Sequence, residues 1–197
     1  MKRVCLTGGI AGGKSSAARM LAELGARVVH ADEIAKQIMR TEEVRGELTR
    51  VLGRSFFTPE GEMKSAELAA YIFHHPDAMR RVNSVVHPRV YEEVERRWQE
   101  VEDRPGCFVV ETALAVETGY VERFDVVVVV TAPRTERLRR LMEEKRLTAD
   151  QAVARMAAQL PEEEKVERAD HVIENDGTLQ DLEERVRTLH ERLCSDE

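Results

Sequence analysis

Short apolar runs alternate with longer amphipathic stretches along most of this chain, and this alternation is typical of strands separated by helices. The run 125–131 is rich in valine and apolar at successive positions, as expected for a parallel strand that is buried on both faces. Five such runs predict strands, at residues 3–7, 26–30, 107–111, 125–131 and 171–175. The pattern therefore predicts an α/β fold with a five-stranded parallel sheet.

The strand rhythm is lost between residues 42 and 100, where helical spacing takes over. A turn is predicted at 57–62, and breaks are predicted at His74-His75-Pro76 and at His87-Pro88. Helices are predicted at 44–52, around 68–73, at 78–86 and at 90–101. We interpret this part of the chain as a helical insertion between strands, of the kind that commonly holds a second substrate.

The remaining helices are predicted from apolar periodicity and from their start signals. They cover residues 16–24, a stretch from 31, residues 134–146, residues 149–159, and stretches that begin near 161 and 178. Thr148 and Gln151 have the spacing of a capping box. In the last helix one apolar stripe is expected to cover the sheet, and it consists of Leu179, Leu182, Val186, Leu189 and Leu193.

Length and charge narrow the function classes. The chain has 197 residues and a formal net charge of −7, which fits one domain with a small insertion and argues against general nucleic-acid binding. No apolar run approaches the ~20 residues that span a bilayer, and the first strand begins almost at Met1, so neither a signal peptide nor a membrane partner is expected. We expect a cytoplasmic protein that is a monomer or a weak homo-oligomer.

The three cysteines are Cys5, Cys107 and Cys194, which lie far apart in the sequence. No pair of them has metal-ligand spacing. Cys5 and Cys107 lie in apolar strand-like runs, so we interpret them as buried free thiols in a reducing compartment.

Residues 8–15 fit the phosphate-binding motif G-x-x-x-x-G-K-[ST], with a predicted strand before it and a helix behind it. Glycines let the backbone approach phosphate closely, and the helix start adds N–H donors. Lys14 is expected to reach the β- and γ-phosphates of ATP, and the Ser15 hydroxyl is expected to bind Mg²⁺. The predicted ATP-binding residues are Ala11, Gly12, Gly13, Lys14, Ser15 and Ser16. The motif predicts the three-layer fold of P-loop NTP hydrolases; the alternative is a chance match in a glycine-rich turn.

Two acidic residues follow predicted strands, where ligands bind in open α/β sheets. Asp32 comes just after the second strand and could accept a proton from an attacking hydroxyl, or it could simply cap a helix. Glu111 ends the third strand, where P-loop proteins place a carboxylate of the Mg²⁺ shell, and it could act through water. His30 faces the same region, and we interpret it as structural.

Two basic groups are candidates for binding phosphate. Arg140 faces the nucleotide if its apolar neighbours face the core, and its guanidinium would then spread transition-state charge. In the insertion, Arg81 and His87 could meet phosphates of a second substrate, together with Arg80 and Arg89. The alternative for each group is a solvated, charged helix face.

Taken in order, the motifs resemble those of the dephospho-coenzyme A kinase family over nearly the whole chain. The loop 7–15 is similar to the family's T-G-G-I-G-S-G-K-S, with Ala11 where the family has glycine, and Asp32 matches the second Asp of D-A-D. Asn83 and His87-Pro88 match N-x-x-x-H-P. Further matches lie at 138–142 (L-x-R-L-M), 157–161 (A-A-Q-x-P) and 169–177 (A-D-x-V-I-x-N-x-G).

The resemblance implies transfer of the ATP γ-phosphoryl group, with Mg²⁺, to the ribose 3′-hydroxyl of dephospho-coenzyme A. It implies Asp32 as the base, Lys14 and Arg140 as catalytic cations, and contacts from Arg81 and His87 to the acceptor. The expected organisation is a nucleotide-binding core (1–55, 105–136 and 167–197), a coenzyme A-binding insertion (56–104) and a lid (137–166).

The chain also departs from the family pattern. His30 replaces the first Asp of D-A-D, Glu111 stands where Asp is usual, and Glu144 stands near a usual lid arginine, although Lys145 and Arg146 are adjacent. These changes leave open a weakened or altered kinase. The alternatives are a small-molecule or nucleotide kinase with a different acceptor, and a nucleotide-dependent switch that binds a partner protein without catalysis.

Overall fold

A computed structural model describes residues 1–113 and 115–195 of the chain. Five parallel strands form one sheet in the order β2-β3-β1-β4-β5, which confirms the predicted sheet. The strands are β1 (Lys2–Gly8), β2 (Arg27–His30), β3 (Cys107–Glu111), β4 (Val126–Thr131) and β5 (His171–Glu174). Since all strands run the same way, their carboxyl ends meet at one edge of the sheet, where Gly8, His30 and Glu111 lie.

Nine helices are described in addition to a short 3₁₀ turn at Tyr120–Arg123. They are α1 (Lys14–Glu23), α2 (Ala31–Met39), α3 (Glu42–Leu52), α4 (Ser65–His74), α5 (Pro76–Gln99), α6 (Arg134–Glu143), α7 (Ala149–Ala157), α8 (Glu162–Val166) and α9 (Leu179–Ser195). The predicted capping box is confirmed at the start of α7, where Thr148 and Gln151 bond reciprocally. None of these helices combines the length and apolar character needed to cross a bilayer.

The described chain divides into two compact units. One contains Met1–His30 and the described residues from Val101 onward, and it holds the sheet. The other is Ala31–Glu100 and is helical. The helical unit therefore includes α2 and α3, which the predicted coenzyme A-binding insertion (56–104) leaves out, and residues 101–104 of that insertion belong to the unit with the sheet. The insertion remains a prediction.

The sheet is covered on both faces, because side chains alternate along each strand. Val4 and Leu6 of β1 face α1 and α9, whose buried residues complete one core. Cys5 faces the opposite side, where Ala115, Val116 and Val121 form a second core. The sheet is thus a middle layer with a core on each face, and an outer layer of chain covers each core. This is the three-layer arrangement that the phosphate-loop motif predicts.

Two predictions for the helices are wrong. Leu179 is 62 % exposed, whereas the other four residues of the predicted stripe are buried. The reason is position, since Leu179 is the first residue of α9 and lies beyond the carboxyl edge of the sheet, where it has no strand to cover.

The predicted break at His87-Pro88 is also wrong, because α5 runs through it without interruption. Proline removes the helical hydrogen bond to the residue four positions earlier, which is Ser84, and Ser84 is exposed. Val86 and Val90 are buried on either side of Pro88, so packing of the helix outweighs the lost bond. Propensity is a weak prior that tertiary contacts override.

Candidate active site

The loop between β1 and α1 has a backbone conformation that requires glycine at two positions. Gly8 and Gly13 have φ values of 143° and 103°, a region that residues with a Cβ rarely adopt. A Cβ on Gly8 would clash with the Val130 carbonyl oxygen of β4, and a Cβ on Gly13 would clash with the Asn175 side chain. The motif glycines are therefore required by both conformation and close packing.

Ala11 is an exception within the same loop. Its φ is 59°, so a residue with a side chain occupies the left-handed region at the position where the resembled family has glycine. The Ala11 carbonyl accepts a 3.1 Å hydrogen bond from Arg140 Nη1. The loop thus holds Ala11 in a conformation that costs about 1–2 kcal/mol relative to the right-handed region.

Two side chains from the far end of the chain hold the loop. Asn175 Nδ2 donates to the Gly12 carbonyl at 2.9 Å, and Asn175 is only 7 % exposed. Gln159 Oε1 accepts from the Ile10 N–H at 2.8 Å. Both residues belong to motifs of the family resemblance, but sequence analysis did not assign them to the site. The signal for Asn175 was its place directly after a predicted strand, at the carboxyl edge of the sheet.

Lys14 lies over the loop that precedes it. Its Nζ donates to the carbonyl oxygens of Gly8 at 3.0 Å and Gly9 at 2.9 Å. Ser15 and Ser16 follow in the first turn of α1, whose N–H groups precede the first intrahelical bond, from Ala17 N to the Gly13 carbonyl. A fixed ammonium and helix N–H groups that precede the first intrahelical bond, gathered in one concavity, favour an anion such as phosphate.

Ser15, Glu111 and His30 form a connected cluster at the carboxyl edge of the sheet. Ser15 Oγ donates to Glu111 Oε1 at 2.7 Å, and His30 Nδ1 contacts Glu111 Oε2. The register explains the second contact, because His30 and Glu111 pair across β2 and β3. The two residues predicted from the sequence as metal ligands, Ser15 and Glu111, are therefore in direct contact at this edge of the sheet.

A hydroxyl and a carboxylate are the hard oxygen donors that Mg²⁺ prefers, and Mg²⁺ usually fills its remaining positions with water and substrate phosphates. The donor set of Ser15 and Glu111 therefore fits Mg²⁺. The His30 ring is held by Glu111 on the side away from Ser15, so it orients the carboxylate without removing the oxygen that faces the hydroxyl.

The basic helix α6 presents two of its arginines to the loop. Arg140 reaches the Ala11 carbonyl and also bonds Glu136 at 2.9 Å. Arg137 pairs with Glu162 at 3.0 Å and packs so closely on Gly9 that a Cβ there would clash with its guanidinium. Arg139 instead pairs with Glu136 and Glu143 on the exposed side, as the solvated-face alternative predicts.

Glu162 was not predicted as a site residue. Burial raises the pKa of its carboxyl, while the charges of Arg137 and Lys14 oppose that shift. The Glu162 carboxyl holds the Arg137 guanidinium beside the loop.

A cavity of about 450 Å³ opens beside the loop. Its walls include Arg140, Glu144, Lys145 and Arg155 from the segment that follows β4. The described residues that line the cavity include Lys145 but not Arg146. Of the two basic residues that follow Glu144, the lysine is therefore the one that faces the cavity. The wall is completed by loop residues, by Asn175 and Gly177, and by the apolar side chains of Leu179 and Leu182.

The remaining sequence candidates belong to the helical unit. Asp32 is exposed and is the second residue of α2, so it lies inside the first helical turn and not at the cap position. Arg81 donates to the Val51 carbonyl at 3.3 Å, and the His87 ring lies 5.9 Å from that of Tyr91. His87 follows Arg81 by six positions, which places the two residues about 120° apart around α5. Burial lowers the pKa of His87.

Arg80 and Arg89 have structural partners. Arg89 bonds Glu43 at 2.9 Å and Glu47 at 2.8 Å, which joins α5 to α3. Arg80 pairs with Asp77 one turn earlier on the exposed side of α5. Their charges are therefore balanced within the helical unit, and Arg81 and His87 remain its main candidates for a substrate phosphate.

Comparison with known proteins gives consistent results. A protein from Corynebacterium glutamicum named dephospho-CoA kinase is 37 % identical over 197 residues, which is 99 % of this chain and 98 % of that protein. A crystal structure from Thermus thermophilus is 32 % identical and superposes with a TM-score of 0.82, covering 98 % of this chain and 97 % of the other. A dephospho-CoA kinase structure from Campylobacter jejuni, 24 % identical over 98 % of both chains, shares the fold with a TM-score of 0.67.

The family model described as dephospho-CoA kinase matches residues 2–181, which includes the phosphate loop, the helical unit and Asn175. This chain therefore belongs to the dephospho-CoA kinase family.

Proposed function

We propose that this protein transfers the γ-phosphoryl group of ATP to the ribose 3′-hydroxyl of dephospho-coenzyme A, giving coenzyme A and ADP. The observation that carries the proposal is a tightly constrained phosphate loop within a chain that the dephospho-CoA kinase model matches over residues 2–181. The loop supports a nucleoside triphosphate as donor, and the family match supports the acceptor.

The donor half of the reaction uses the loop. Backbone N–H groups of residues 11–16 bind the phosphates, and the Lys14 ammonium neutralises charge on them. Ser15 and Glu111 would hold Mg²⁺, which supplies charge neutralisation between phosphates when it is bound. Arg140, already fixed by Glu136 and the Ala11 carbonyl, stabilises negative charge that develops during transfer.

The acceptor half uses the helical unit. The carboxylate of Asp32 accepts the proton of the attacking 3′-hydroxyl, which makes that oxygen a better nucleophile. Asp32 suits this role because it is exposed. It is the second residue of α2 and not the N-cap, so its carboxylate does not cap the helix. Arg81 and His87 bind the acceptor.

The lid is assigned to residues 137–166, and its carboxyl-terminal end is anchored to the core. Lys165 is fully buried, donates to the Ala113 carbonyl at 3.0 Å and pairs with Glu117 at 2.6 Å. Leu160 and Val166 pack on the core beside β4. We expect closure to involve the segment between the end of α6 and Gln159, which carries Lys145 and Arg155, and to exclude water from the transfer.

One assay tests the proposal. Purified protein is incubated with ATP, Mg²⁺ and dephospho-coenzyme A, and ADP release is followed by an enzyme-coupled readout, with mass spectrometry of the product. We expect ADP and coenzyme A in equal amounts. A panel of other alcohol acceptors is the control: phosphorylation of one of them but not of dephospho-coenzyme A would overturn the acceptor, and slow ATP hydrolysis independent of every acceptor would favour a nucleotide-dependent switch.

A further inference from the structure

Three potential metal ligands meet far from the phosphate loop. Cys107 begins β3 and pairs with Lys2 at the start of β1, so it lies at the amino edge of the sheet. His190 and Cys194 lie one turn apart near the end of α9. The phosphate loop, in contrast, follows the carboxyl end of β1. The sequence did not reveal this group, because Cys107 and Cys194 have no telling spacing and are joined only by packing of α9 on the sheet.

The geometry suits one tetrahedral ion. The ligand atoms of Cys107, His190 and Cys194 all lie within 4.8 Å of one another, and Cys194 Sγ is 3.7 Å from His190 Nε2. Zinc bonds of about 2.3 Å to sulfur and about 2.0–2.1 Å to nitrogen require ligand atoms separated by roughly 3.5–3.8 Å. The measured separations therefore need only small rotations of the side chains.

The chemistry of the ligands selects the ion. Two thiolates and an imidazole are soft and borderline donors, which favour zinc over magnesium or calcium. Cys107 is buried, whereas His190 and Cys194 are partly exposed, so the fourth position can be reached by water. We propose that Cys107, His190 and Cys194 form a zinc-binding site, with a water molecule as the fourth ligand.

The position of this site defines its role. Leu189 and Leu193 of α9 are buried in the same core as Cys107, so the end of α9 already packs on the sheet. A zinc ion bound to these ligands would crosslink that end of the helix to β3. Because the ligands come together only in the folded chain, zinc binding would stabilise the fold. The proposed role of the site is to hold the end of α9 against β3, at the sheet edge opposite to the phosphate loop.

Zinc titration of the reduced, metal-free protein tests the proposal. We expect one zinc ion per chain by calorimetry, and cobalt or cadmium in its place should give the absorption bands of metal bound to two thiolates. Cys194→Ser should weaken binding at least about 100-fold, since a ligand matters more than the outer-shell partners whose loss costs 10–100-fold. The control is Cys5→Ala, which removes a thiol from the other face of the sheet and should leave binding unchanged.

Thermal unfolding gives a second readout that does not depend on activity. With zinc at about 100 times its dissociation constant, the melting temperature should rise by about 5–10 °C, and Cys194→Ser should abolish the rise. His190→Gln serves as a second variant at a partly exposed position. Equal zinc binding by wild type and both variants would overturn the proposal, as would a Cys107–Cys194 disulfide in oxidised protein without metal–thiolate absorption in reduced protein.

Discussion

In the unit that contains the sheet, the phosphates are proposed to bind mainly to main-chain amides, with Lys14 beside them, and buried side chains such as Asn175 hold the loop in place. In the helical unit, the groups proposed to act on the acceptor are the side chains of Asp32, Arg81 and His87 on helix surfaces. The constrained glycines of such a loop, Gly8 and Gly13, cannot be exchanged without disturbing the fold, whereas a surface carboxylate can be exchanged at little cost to stability. The comparison separates residues whose loss affects the reaction alone from residues whose loss also affects folding.

The largest effect is expected for Lys14→Ala. The ammonium is fixed over the loop by two carbonyl oxygens, and removing a preorganised cation from a phosphoryl-transfer site costs about 10²–10³-fold in turnover. We expect a loss of about 10³-fold in the ADP-release assay. The control is Arg139→Ala, which removes a cation from the exposed side of α6; turnover of Lys14→Ala within threefold of wild type would remove the lysine from the mechanism.

Asp32→Asn tests the helical unit. Asparagine keeps the size and hydrogen-bonding capacity of the side chain but loses its charge, so turnover should fall about 10²-fold or more, while ATP affinity and the melting temperature stay close to wild type. The matched control is Glu33→Gln, the neighbouring exposed carboxylate in the same helical turn. Full turnover in Asp32→Asn, or a drop in melting temperature that explains the lost activity, would make Asp32 a structural residue.

A pair of glycine substitutions sharpens the comparison. Gly13→Ala places a Cβ against Asn175 at a φ of 103°, so we expect a loss of about 2 kcal/mol in the free energy of unfolding, together with weaker ATP binding. Gly46→Ala is the matched change in α3 of the helical unit, where a Cβ meets nothing within 4 Å. It should stabilise by about 0.5–1 kcal/mol.

Urea unfolding of both variants measures these values. A glycine-to-alanine substitution should thus lower the free energy of unfolding in one unit and raise it in the other. A stabilising Gly13→Ala would mean that the loop is not held by Asn175 as described.

The sheet and the phosphate loop were predictable because their signals are local. Apolar runs identified the five strands, and the rule that ligands bind at the carboxyl ends of parallel strands was enough to expect Ser15 and Glu111 near one point. Their measured contact of 2.7 Å agrees with that expectation. The loop motif needed no knowledge of the remaining chain.

The features that sequence analysis missed depend on contacts between distant segments. The continuity of α5 through Pro88 depends on valines that pack on both sides of it. The hydrogen bonds that Asn175 and Gln159 form with the loop join residues that are 163 and 149 positions apart. Neither periodicity nor composition reports such contacts, since both describe neighbours along the chain.

The smallest predicted effect concerns Ala11, which occupies the left-handed region at a φ of 59°. Ala11→Gly removes a strain of about 1–2 kcal/mol, but glycine also gives the unfolded chain more freedom, which offsets about 0.5–1 kcal/mol. The net expectation is a gain of about 0.5–1 kcal/mol and a melting temperature about 2 °C higher.

The Ala11 carbonyl keeps its hydrogen bond from Arg140 in this variant, because the bond involves only the backbone of residue 11. Turnover should therefore remain near wild type, and the effect should appear only in urea and thermal unfolding. Gly13→Ala and Ala11→Gly, two positions apart, then move stability in opposite directions for the same reason, the sign of φ. A less stable Ala11→Gly would show that the alanine methyl group makes a packing contribution larger than the strain it carries.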